Sequence, residues 1–188
     1  MVRKRAFNIF QQAREAGPYD EYPVLPPEID PQIHLSRNDR PQPFYLICEH
    51  DCVIAQMAGR ATVHFKDSNV LRYVLVSGDF VYVPAGTPHR IVPETESIQV
   101  RYKARDAGWE GAAWYCDKCG AELWRSEWNT VEQLPQEGYW RSCHDFNEAS
   151  SLRTCQQCGT TADIIDLSPF RWRQIASELR TGDPTPGA

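Results

Sequence analysis

The chain has 188 residues, of which 41% are hydrophobic, 11% aromatic and 24% charged, a globular composition that excludes a disordered chain. The formal charge of −5 and the scattered Lys and Arg residues leave no basic field, so no nucleic-acid partner is expected. No apolar run approaches the roughly 18–20 residues of a membrane span, and the basic start MVRKRAFNIFQQAREA lacks the apolar stretch and cleavage site of a secretory leader, so a cytoplasmic protein without membrane contact is expected.

Residues 1–32 read as a helix and an arm. Phe7, Ile9, Phe10 and Ala13 fall near one helical face within 5–16, and Gly17-Pro18 ends that helix. Pro18, Pro23, Pro26, Pro27 and Pro31 then make 18–32 extended, shaped to wrap the barrel edge or a neighbour. From 33 to 105, short runs at 53–57, 61–65, 71–76, 80–83 and 97–102 are rich in Val, Ile, Tyr and Phe and are separated by Gly, Asn, Asp or Pro. That spacing predicts a β-sandwich or small barrel. Residues 106–113 (DAGWEGAA) read as a Gly/Ala-rich connection, opening a unit over 106–165 that is organised by cysteine. In 166–188, Ser168 is expected to cap a closing helix over 168–180, with Pro169 at its first position and Phe170, Trp172, Ile175 and Leu179 on one face. A tail without a packing signal follows.

Seven cysteines in a chain expected to be cytoplasmic call for something other than disulfides. Cys116-Asp-Lys-Cys119-Gly120 and Cys155-Gln-Gln-Cys158-Gly159 form two knuckles. The two-residue spacer lets both sulfurs of a knuckle turn to one ion, and the glycine allows a positive φ that aims backbone N–H groups at sulfur. Together they predict a tetrahedral four-sulfur site for zinc or a rubredoxin-type iron, closed to substrate and so structural. Cys143 and His144 between them are read as packing residues or bystanders, not as ligands.

The stretch Gly78-Asp-Phe-Val-Tyr-Val-Pro84-Ala-Gly86-Thr-Pro-His89 reads as a turn, a strand with Val81 and Val83 on one side, and a second turn that aims His89 into the barrel. It has the form of the second cupin motif. Cys52 stands seven residues before Gly59, where the first cupin motif has a glutamate. With the knuckles downstream, residues 7–159 resemble the bacterial 3-hydroxyanthranilate 3,4-dioxygenase family at 56–59, 78–93, 114–120, 133–135 and 153–159. The resemblance implies an all-β fold, a cupin double-stranded β-helix (jelly-roll-like barrel) with a metal-stapled C-terminal subdomain and short terminal helices, commonly dimeric. It also implies Fe(II) held by two His and one Glu, with O₂ opening an aromatic ring. Aligned without gaps, only His89 remains of the three ligand positions, because the first His falls on Leu46 and the Glu on Cys52. The substrate arginines fall on Gln42 and Pro93, and a carboxylate falls on Arg101. Turnover of 3-hydroxyanthranilate itself is therefore not expected.

Replacement donors stand in PFYLICEHDCV. Cys48, His50 and Cys52 alternate, so one continuous strand would set all three beside His89, a soft donor set for zinc, Cu(I) or thiolate-bound iron. A turn kept here instead leaves His50 in a loop, with Cys48 and Cys52 inward. The plainer counterpart is a degenerate pocket with buried thiols that pack as small hydrophobes. The leading expectation is a cupin oxidoreductase in which His89, Cys52 and either Cys48 or His50 hold Fe(II) or another transition metal. Arg101, Arg60 and Gln42 would bind a small aromatic or amino-acid-derived substrate. The alternatives are a non-catalytic binding protein with only the four-cysteine metal, and a thiol enzyme using Cys48 or Cys52 activated by a neighbour such as His50. His34 and His64 are read as strand residues outside this set, and a homodimer is expected.

Overall fold

The computed structural model describes residues 7–181, so positions 5–6 of the first expected helix and the tail from 182 lie outside the described residues. In chain order it contains α1 (Ile9–Gln12), β1 (Tyr22–Pro23), β2 (Gln32–Asn38), β3 (Tyr45–Cys48), β4 (Cys52–Ala58), β5 (Arg60–Phe65) and β6 (Arg72–Val76). There follow β7 (Phe80–Val83), β8 (His89–Pro93), β9 (Ser97–Lys103), β10 (Trp109–Tyr115), β11 (Glu122–Asn129), α2 (Pro135–Glu148), α3 (Ser150–Arg153) and α4 (Trp172–Thr181). None of these helices is long and apolar enough to cross a membrane.

Two antiparallel sheets carry the fold, one in the order β1-β2-β9-β4-β7 and the other β11-β10-β3-β8-β5-β6. Setting aside β1, β10 and β11, β2-β9-β4-β7 faces β3-β8-β5-β6, the two-Greek-key order of a jelly roll. The expected double-stranded β-helix, a jelly-roll-like barrel, is met. Inward positions alternate as the pleat requires: β4 buries Cys52, Ile54 and Gln56, and β8 buries His89 and Ile91. Leu46, Val63, Val81 and Val83 complete the barrel core. A second, smaller core lies outside the first sheet, where Ala13 and Ala16 cover Leu35, Ala55 and Val100.

The terminal elements are shorter than their sequence patterns. α1 keeps four residues, with Asn8 Oδ1 accepting from the Phe10 N–H at 3.0 Å, because so short a helix persists only where it is capped and docked. α4 begins at Trp172 and not at Ser168. The Ser168 N–H is bonded to Asp166 Oδ1 at 3.0 Å in a local turn, and the fully buried Trp172 fixes the helix start by donating from Nε1 to the Tyr19 carbonyl at 2.8 Å.

The expected connection at 106–113 is corrected: its second half is the start of β10, which adds the β10–β11 hairpin to the second sheet beside β3. Small residues signal close packing here, not a loop. A Cβ at Gly111 would stand 3.1 Å from the Ser126 carbonyl oxygen, and Ala112 and Ala113 are fully buried. The cysteine-bearing segment is thus continuous with the barrel. α2, which has no signature in the spacing of the cysteines, covers the hairpin through Phe146 stacked on Trp114 at 4.5 Å and Tyr139 edge-on to Trp128 at 5.6 Å.

Candidate functional site

The two knuckles meet as the spacing predicts. Cys116 and Cys119 lie at the β10–β11 turn, Cys155 and Cys158 just after α3, and all four ligand atoms fall within 4.8 Å of one another. Cys116 Sγ is 3.5 Å from Cys158 Sγ, and Cys119 Sγ is 3.5 Å from Cys155 Sγ. A tetrahedral ion with metal–sulfur bonds of about 2.3 Å has sulfur–sulfur edges of about 3.8 Å, so these donors fit zinc or iron. Gly120 and Gly159 take φ of 78° and 72° and return their N–H groups to the Cys116 and Cys155 carbonyls at 2.8 and 2.9 Å. Cys143 is fully buried in the core, and His144 is half-buried beside Asp145 at 3.7 Å.

At the barrel centre β3 and β4 are separate strands. The turn between them is pinned: Glu49 Oε2 accepts from the Trp109 N–H at 2.6 Å and Asp51 Oδ1 from the Ala85 N–H at 2.8 Å. The alternation of Cys48, His50 and Cys52 is therefore broken, with both cysteines buried and His50 exposed. The single-strand donor set is corrected to two thiols on opposite sheets. The Gly86 N–H donates to the Cys48 carbonyl at 2.8 Å, tying this turn to the one that delivers His89.

His89 is fully buried and donates from Nδ1 to the Thr87 carbonyl at 3.0 Å, which leaves Nε2 as an acceptor. Arg101 Nη1 donates directly to that nitrogen. The same guanidinium donates from Nε to Glu21 Oε1 at 3.0 Å, and Nη1 lies 3.7 Å from Cys52 Sγ. An imidazole nitrogen, a sulfur and a carboxylate, three groups of the kind that hold a metal, thus converge on a side-chain cation. Lys103, two residues along β9, donates to Glu110 Oε1 at 2.8 Å and lies 3.7 Å from Glu21 Oε2.

Glu21 reaches this point from the arm. Its φ of 46° is uncommon for a non-glycine residue, and it is held by a bond from its N–H to Ser36 Oγ at 3.0 Å and one from Gln136 Nε2 to its carbonyl at 2.9 Å. Burial alone would raise the Glu21 carboxyl, but Arg101 and Lys103 outweigh it and lower the group to about 2. The adjoining Cys48 thiol, opposed by burial and helped by His89 and Arg101, holds Cys52 well below the usual thiol range. Cys48 itself is pushed well up by Cys52 and by burial.

The other predicted residues lie elsewhere. Arg60 is exposed and pairs with Glu94 at 2.6 Å, so its substrate role is corrected to a surface ion pair. Gln42 is buried but lies along β8, its Oε1 accepting from the Ile91 N–H at 3.3 Å. His64 is a half-buried strand residue. His34, set aside in the sequence, stands opposite Arg101 in the β2–β9 register and donates from Nδ1 to the Glu21 carbonyl at 3.1 Å. Burial and Lys103 lower it to about 4. A cleft of about 190 Å³ reaches this edge of the network, lined by Pro23, Gln32, His34, Lys103, Arg105 and Glu110.

The barrel donors do not fit a metal as they stand. His89 Nε2 already accepts from a guanidinium, and an ion placed there would meet a like charge. Among the described residues, only the four cysteines bring three or more metal-type donor atoms within 4.8 Å of one another. Glu21, Lys103 and Glu110 are the members that sequence reasoning missed. The available signal was Arg101 and Lys103 at alternate positions of β9, on the same buried face as Ser97 and Gln99, since buried cations need partners.

No family model matches the chain, and no curated protein does. Among solved structures it is similar to hydroquinone 1,2-dioxygenase from Sphingomonas sp. TTNP3 with 4-hydroxybenzoate bound, at 21% identity over 50% of this chain and 71% of that one, TM-score 0.44. A cupin-2 domain containing protein from Shewanella frigidimarina NCIMB 400 is 16% identical over 52% of this chain and 93% of that one, TM-score 0.45. A protein from Neisseria meningitidis is 19% identical over 53% and 99%, TM-score 0.44.

Proposed function

We propose that this is a non-catalytic, cupin-type binding protein, stapled by one metal at Cys116, Cys119, Cys155 and Cys158, whose barrel centre holds a fixed ion-pair network in place of a catalytic metal. The contact of Arg101 Nη1 with His89 Nε2 carries this reading. A catalytic metal site keeps an open position for substrate or water, whereas a guanidinium offers only donors and keeps its charge throughout the working pH range. Removing Arg101 from its place would leave the buried Glu21 with only the more distant Lys103, 3.7 Å from Oε2, so the guanidinium is part of the fold. The cleft beside His34, Lys103 and Glu110 offers such a protein a site for a small molecule. Elemental analysis tests the reading. One metal per chain is expected, kept in His89→Ala and lost in the Cys116→Ser/Cys119→Ser variant; a second metal that disappears with His89 would overturn it.

A thiol-dependent function is the second reading, favoured by the lowered Cys52 beside Cys48, His89 and Arg101. It requires that Cys52 react with iodoacetamide at neutral pH faster than the buried Cys143, as read by peptide mass. Equal protection of both would remove it.

A further inference from the structure

One row of outward side chains crosses three neighbouring strands of the second sheet. Arg72 on β6 stands opposite His64 on β5, and His64 stands opposite Arg90 on β8. All three face away from the barrel interior, because Leu75 on β6, Val63 and Phe65 on β5, and His89 and Ile91 on β8 are the buried positions of these strands. Lys66, just beyond β5, joins the row. Its Nζ lies 5.6 Å from the centre of the Tyr45 ring and 4.8 Å from that of Tyr115, and the Arg90 guanidinium carbon lies 6.0 Å from the Tyr45 ring centre. Bases at 66, 72 and 90, scattered in the sequence, are gathered by the sheet.

Among the described residues, none of Arg72, Arg90 and Lys66 has an ion-pair partner or a side-chain hydrogen bond, and Arg90 Nε is buried without an acceptor. Other bases of the same sheet are supplied with acids: Arg60 has Glu94 at 2.6 Å and Arg125 has Glu122 at 2.7 Å. Like charges on adjoining strands destabilise a sheet, and a chain with 25 acidic residues to 20 basic ones does not lack carboxylates to offset them. Asp67 and Asp117 lie near the two tyrosines but form no ion pair with any of the three bases. The His64 imidazole between the arginines is pushed down by burial and by Arg72, Arg90 and Lys66, so it stays neutral and has an N–H to donate.

We propose that this row binds the dianionic head of a phosphate monoester, held by Arg72, Arg90 and Lys66 with His64 between them. Such a group carries a charge of about −1.5 to −2 and three strong acceptor oxygens, and guanidinium forks match its geometry. The net charge of −5 opposes a long polyanion, so a single phosphate suits the site and a nucleic-acid backbone does not. The adjoining outward row, Val74, Thr62 and Val92, is uncharged and suits an apolar ester body. The site lies on the opposite face of the sheet from His89, so it stands apart from the reading of the barrel centre.

Residue-resolved NMR titration of the full chain with phenyl phosphate, at neutral pH and constant ionic strength, tests it. Saturable shifts are expected at 62–66, 72–74 and 90–92. The dissociation constant should rise at least about tenfold in Arg72→Gln and in Arg90→Gln, and benzoate, with the same ring and one charge, should bind at least about tenfold more weakly. Arg180→Gln, at a base paired with Glu137, should bind as the natural chain does. Neither arginine has a partner in the fold to lose, so both variants should match or exceed the natural thermal midpoint, which separates lost binding from lost folding. Should either prove unfolded, Lys66→Gln takes its place. Shifts that follow ionic strength alone, equal binding of benzoate, or binding that survives these substitutions would each overturn the proposal.

Discussion

Arg101 donates from Nη1 to His89 Nε2 in the closed centre of the barrel, so the nitrogen lone pair that a cupin would offer to a metal is spent on a side chain. Both residues are almost fully buried, and neither can be removed without a charge or acceptor losing its partner.

Arg101→Ala should destabilise the protein by about 3–5 kcal/mol, because Glu21 and Cys52 lose their common cation. It should also vacate the point on which His89, Cys52 and Glu21 converge. Titration with Co²⁺ is expected to give thiolate-to-cobalt absorption for one more ion per chain than in the natural protein, alongside the loss in urea stability.

Stability should fall with acid in two overlapping steps. His34 lies near 4 in the fold against an ordinary 6.5, so between those values the unfolded chain takes the proton first, and stability, complete above about 6.5, declines as pH drops toward 4. Glu21 lies near 2 against an ordinary 4.5, so its contribution is full above about 4.5 and is lost as pH falls toward 2. Each step is on the order of 3 kcal/mol taken alone, and less together because the groups lie 4.0 Å apart. Urea denaturation across pH 3–8 should show a flatter upper step in His34→Gln and a flatter lower one in Glu21→Gln.

Metal removal should act locally first. The four-cysteine site ties 153–162 to the β10–β11 turn, and hydrogen exchange after chelation is expected to rise there before it rises in β4 or β8. Simultaneous loss of protection throughout the barrel would contradict this.

Trp172→Ala should cost about 3–5 kcal/mol by emptying a fully buried site and leaving the Tyr19 carbonyl without its donor. Chemical denaturation against the natural chain measures it directly.

Much of the barrel was legible because strand alternation and turn residues are local signals: the runs at 61–65 and 80–83 match β5 and β7 closely. The cysteine knuckles were legible because metal geometry restricts spacing. The turn at 49–51 was not, since the bonds that pin Glu49 and Asp51 come from Trp109 and Ala85, far along the chain. Glu21 was hidden for the same reason, its partner lying 80 positions away. β10 was mistaken for a connection because close approach between strands and a flexible linker both select Gly and Ala.

Glu21 also makes the barrel's electrical balance depend on a distant stretch of backbone. A chain that closes its sheets before the arm docks encloses Arg101 and Lys103 with one carboxylate too few, and such an intermediate is penalised until residue 21 arrives. The arm therefore behaves as a tethered counter-ion, and its docking distinguishes a finished molecule from a merely collapsed one.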